Sequence, residues 1–93
     1  VTGRKFSGDI GDLSPEETAA FERATDIYQA LLAALDAHLD RASDPAEAAR
    51  LRAEAERYAA EQRELRVGDL AGAQRVIDEY PALVRELMAS LAS

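Results

Sequence analysis

Ser14-Pro15-Glu16-Glu17 and Asp44-Pro45-Ala46-Glu47 each spell the first turn of an α-helix. In both, a side-chain oxygen at the N-cap can accept from the orphan N–H groups of that turn. Proline follows at N1, where its missing N–H costs nothing, and a Glu at N3 can reach back to the cap. Further along, Gly68-Asp69 supplies a stop and a start: Gly68 suits the left-handed position after a helix and Asp69 the next N-cap. These signals divide the chain after residue 14 into expected helices at 15–42, 45–66 and 70–91. Residues 1–13 hold Gly3, Gly8 and Gly11 and show no helical periodicity, so they read as an extended, flexible N-terminal arm.

The faces of these helices set the architecture. At about 100° per residue, Ala34, Ile27, Ala20, Leu31, Ala24, Leu35, Tyr28, Phe21, Leu39 and Leu32 fall on one arc of helix 1, roughly 160° wide. One neighbouring helix cannot cover so broad a face, so helix 1 is the expected spine. Helix 2 carries a narrower seam, with Leu51, Tyr58 and Leu65 spaced at sevens, alanines between them and Glu and Arg on both flanks. In helix 3 the stripe from Leu70 through Val76, Tyr80, Val84 and Leu87 to Leu91 keeps one phase across Pro81. One helix kinked near Pro81 is therefore expected, rather than two helices meeting at a corner. The connections are short enough to force sequential helices antiparallel. The expected fold is all-α: an up-down-up three-helix bundle over residues 14–93, preceded by the arm.

The chain has 93 residues, no cysteine and a net charge of −7. That length makes one domain. Without cysteine there is no disulfide framework, thiol nucleophile or thiolate metal site. No run approaches the ~20 apolar residues of a membrane span, and the first residues lack the apolar stretch of a signal peptide, so a cytoplasmic setting is expected. The charge is concentrated on helix 1, which carries six acids against Arg23 and Arg41. Glu22, Asp26, Asp36 and Asp40 gather into a stripe opposite its apolar arc. Such a surface repels phosphate backbones and anionic lipid, which argues against direct nucleic-acid or membrane binding, and it steers basic partners.

Little else carries chemistry. His38, the only imidazole, has no companion at metal-ligand spacing. The pairs Glu22/Asp26 and Asp36/Asp40 lie on the solvent stripe, where nothing moves a carboxylate pKa toward neutrality. No serine sits in a nucleophile-elbow context. An acyl carrier protein would match in size and charge, but the Asp-Ser-Leu tripeptide that carries its prosthetic arm is absent. Gly68-Asp69-Leu70 followed by Ala73 resembles the turn of a tetratricopeptide repeat over about a dozen residues, without the second and third copies that an array needs.

The expected function is therefore a non-catalytic protein–protein interaction module, an adaptor, inhibitor or other regulatory protein, without cofactor or metal. Its partner would be another protein, preferably basic, or a second copy of the chain. Expected anchors are Phe21, Tyr28, Leu32, Leu39, Leu87 and Leu91, with Glu22, Asp26, Asp36 and Asp40 for electrostatic steering. Two alternatives stand beside it: an acidic nucleic-acid mimic that blocks a DNA- or RNA-binding protein, and a small helical enzyme or ligand carrier.

Overall fold

The computed structural model describes residues 14–92; the arm expected at 1–13 lies outside them. Three helices make up the fold: α1 (Pro15–Arg41), α2 (Pro45–Glu64) and α3 (Leu70–Ala92), with no strand among the described residues. Ser14 and Glu17 form the full reciprocal cap, Glu17 N donating to Ser14 Oγ and Ser14 N to Glu17 Oε1, both at 3.0 Å. The second cap is half of that. Glu47 N donates to Asp44 Oδ2 at 3.3 Å, but the Glu47 carboxylate turns outward to Arg50, at 3.9 Å.

The end of α2 departs from expectation. The helix stops at Glu64, not at residue 66, and no described glycine has a positive φ, so Gly68 is not a left-handed cap. Leu65 turns extended instead, at φ −69° and ψ 132°, while its N–H still reaches the carbonyls of Glu61 and Gln62. The Arg66 guanidinium donates back to the carbonyls of Arg63 (3.2 Å) and Glu64 (3.5 Å). A long cationic side chain thus satisfies the orphan carbonyls that a left-handed glycine would otherwise have served. Asp69 does open α3, its Oδ1 accepting from Gly72 N at 2.9 Å.

Contacts between α1 and α3 climb both helices in the same sense. Tyr28 meets Tyr80, His38 meets Leu87 and Arg41 meets Leu91, so these two helices run parallel and α2 returns between them. The up-down-up order is therefore as expected, with α1 as the spine packed on both others. No Cα of α2 comes within 8 Å of a Cα of α3. Those two helices meet only through long side chains.

The core draws on Ala20, Ala24, Tyr28, Leu31, Ala34 and Leu35 of α1, Leu51 and Tyr58 of α2, and Ala73, Val76 and Tyr80 of α3. α3 is one uninterrupted helix through Pro81, although Ile77 O loses its i+4 donor there. Burial on α3 nevertheless ends at Tyr80. Beyond it Leu83, Val84, Leu87 and Leu91 are half-covered, and Met88 is 53% exposed. The cause lies in α2, whose first thirteen residues hold five alanines and a single large apolar side chain, Leu51. Too little reaches across to close the bundle at that end.

Candidate functional site

Two features of the folded chain concentrate chemistry, one polar and one apolar. The polar one is centred on Glu61, on the flank of the α2 seam. Its Oε1 accepts from Tyr80 Oη at 2.7 Å and from Tyr28 Oη at 3.2 Å. Its Oε2 lies 3.5 Å from Arg57 Nη1, and Arg75 Nη2 approaches Oε1 at 4.0 Å. The rings of Tyr28 and Tyr58 both stand edge-on to Tyr80, with centroids 5.8 and 5.3 Å away. Arg57 lies over the Tyr58 ring at 4.3 Å and donates to its hydroxyl at 3.0 Å. One carboxylate thus ties together side chains from all three helices.

An open hollow of about 300 Å³ adjoins this cluster, lined by Tyr28, Glu61, Glu64, Leu65, Asp69, Gly72 and Arg75. Burial, reinforced by the neighbouring Glu61 charge and hydrogen bond, pushes the Tyr28 and Tyr80 hydroxyls above the ordinary phenol value of 10.0. Hydrogen bonding to Tyr58 raises Arg57 further, and hydrogen bonding to Tyr80 does the same for Arg75, so both stay cationic. Tyr28, Glu61, Asp69 and Arg75 each engage a neighbouring group. Among the described residues no set of three His, Cys, Asp or Glu is arranged to hold a metal, and no buried polar side-chain atom lacks a partner.

The apolar feature is a groove of about 360 Å³ between α1 and α3. Ala30, Ala33, Ala34 and Ala37 form one wall, and Val84, Met88 and Leu91 the other. It owes its form to alanine: four small side chains at i, i+3, i+4 and i+7 leave a shallow trench beside the longer chains of α3. The far end is held by α1's basic last turn. His38 Nε2 lies 2.8 Å from Leu87 O, and because a carbonyl only accepts, that nitrogen carries the proton. Arg41 Nη1 donates to Leu91 O at 2.5 Å. His38 is thus half-buried and fixes α1 to the exposed half of α3.

The residues expected to bind a partner are not brought together. Tyr28 is 2% exposed, its ring in the core and its hydroxyl on Glu61. Leu32, Leu39 and Leu87 are half-buried against the core, and Phe21 is half-buried near the start of α1. Only Leu91 lines the groove. Glu22, Asp26, Asp36 and Asp40 are all exposed. Sequence reasoning missed the groove because an exposed alanine reads as neutral on a helical wheel. The available signal was the recurrence of Ala30, Ala33 and Ala37 beside the acidic stripe. Compared with known proteins, the chain matches no family model, no curated protein and no solved structure.

Proposed function

We propose that the chain is a non-catalytic interaction module that binds another polypeptide through the α1/α3 face. One observation carries this reading: past Pro81 the apolar stripe of α3 contains no buried residue, and it borders a groove with apolar walls. Soluble domains scatter single apolar residues over their surfaces, whereas a contiguous apolar patch rimmed by polar residues is one of the marks of an interaction site. The polar cluster supports the same reading indirectly, because its groups are spent on joining helices. No helix among the described residues is long and apolar enough to cross a membrane.

A photo-crosslinking amino acid at position 88, compared with the same residue at exposed position 52 on α2, tests the proposal in cells of the natural host. Discrete protein adducts from position 88 and none from position 52 are expected. Adducts at neither position, or equally at both, would reject the assignment. A second reading, an acidic decoy for a nucleic-acid-binding protein, is favoured by the exposure of all four stripe carboxylates. In that case DNA would compete for the partner and the adducts would come from position 36.

A further inference from the structure

Resting on the proposed interaction face, we infer that the occupant of the α1/α3 groove is a single amphipathic helix of a partner protein, apolar along one stripe and flanked by Lys or Arg. The dimensions come first. Ala30 to Ala37 spans seven residues, about 10 Å of helix at 1.5 Å per residue, and Val84 to Leu91 spans the same. Two turns of one helix match that length. Alanine on the α1 wall permits close approach of a backbone, within the ~8–10 Å at which packed helices lie. Met88 adds a flexible, polarisable side chain of the kind that adapts to a docked helix.

Charge selects the occupant. Asp26 lies four residues before Ala30, Asp36 three after Ala33 and Asp40 three after Ala37, so all three share a face or an edge with the alanine wall. All three are exposed. The ion pairs among the described residues involve only Glu47, Arg50, Glu54, Arg57, Glu61, Arg75 and Glu79. None touches the acidic edge of α1. Arg50, Arg57 and Arg75 thus each pair with a glutamate, whereas Asp26, Asp36 and Asp40 take part in no ion pair among the described residues. A second copy would bring the same acidic edge against this one, in a chain of net charge −7. A cationic helix meets no such repulsion, and the edge steers it toward the trench.

The test uses the full chain and two synthetic peptides of about 18 residues with the same leucine stripe, one flanked by Lys and the other by Glu, long enough to hold helix on binding. Fluorescence anisotropy at about 50 mM salt reads the affinities. The Lys peptide is expected to bind at least about 10-fold more tightly, mainly through faster association. Asp26→Asn, Asp36→Asn and Asp40→Asn together should shrink that preference. Ala33→Glu should abolish binding although it adds negative charge, because it fills the trench. Met88→Gln, at an exposed position, should weaken binding with the thermal melt unchanged. Equal affinity for the two peptides would overturn the inference, as would Lys-peptide binding that survives Ala33→Glu and Met88→Gln. A salt-insensitive dimer at micromolar concentration, broken by Ala33→Glu, would also overturn it by placing a second copy in the groove. Adducts from position 88 with no preference between peptides would reject the basic helix while leaving the interaction module intact; no adducts there would reject the module itself.

Discussion

Glu61→Ala removes the one acceptor on which tyrosines from two different helices converge. The loss follows from the geometry. A hydrogen bond to a charged group contributes about 1.5–3 kcal/mol when well formed. The 2.7 Å bond from Tyr80 falls in that range, while the 3.2 Å bond from Tyr28 falls near or below its lower end. The Glu61 side chain is 28% exposed, so water compensates part of each. The pairs with Arg57 and Arg75 involve half-exposed guanidiniums and contribute at most about 1 kcal/mol. Together these give a destabilisation of about 2–4 kcal/mol, a large share of the ~5–14 kcal/mol typical of a domain this size. Urea unfolding followed by far-UV circular dichroism should show a lower midpoint at unchanged slope. Glu61→Gln keeps a carbonyl acceptor and should cost about half as much. In a double-mutant cycle, Glu61→Ala and Tyr80→Phe should couple by about 1–2 kcal/mol. Strict additivity, or a Glu61→Ala loss under about 0.5 kcal/mol, would refute the claim that this carboxylate links α2 to α3.

The same cluster sets an alkaline limit. Because burial first and Glu61 second raise both phenols, the unfolded chain releases their protons near pH 10.0 while the folded chain keeps them. Stability is then complete below pH 10 and falls above it, by up to about 1.4 kcal/mol per pH unit for each tyrosine; urea midpoints at pH 9 and 11 check this, and Tyr28→Phe with Tyr80→Phe should flatten the slope. Pro81→Ala restores a donor to Ile77 O within a continuous helix and should stabilise the protein by about 1–2 kcal/mol in a thermal melt; a loss would mean that packing requires a bend there. Ser14→Ala should cost about 1 kcal/mol and Asp44→Ala about half that, since only the first cap is reciprocal; equal losses in urea melts would contradict the cap geometry.

Helix starts were readable because capping is local: Ser14, Asp44 and Asp69 each act within one turn of their own position. Helix order followed from short connections, and the role of α1 as spine from the width of its apolar arc. The stop of α2 falls at Glu64 and not at residue 66, without Gly68 as a left-handed cap, because Arg66, from within the connection, caps the carbonyls instead. Glu61 read as one more charge on the flank of a seam. Nothing in its neighbours along the chain reveals that Tyr28 and Tyr80, on other helices, bring their hydroxyls to it. The same contact helps to hold Tyr28 in the core. Incomplete coverage of α3 was foreshadowed by the alanines of α2, but the location of the resulting trench depends on which side of α1 the third helix takes.

Met88 is the sole methionine of the chain and stands in the wall of the groove. Its carbon-13-labelled methyl therefore gives one nuclear magnetic resonance signal that reports on this trench alone. Titration with the Lys-flanked peptide should move that signal along the same curve as the anisotropy, and the Glu-flanked peptide should move it only at concentrations at least about 10-fold higher. A bound Lys peptide that does not disturb the Met88 methyl would contradict the account, because the exposed end of the bundle would then have no part in binding.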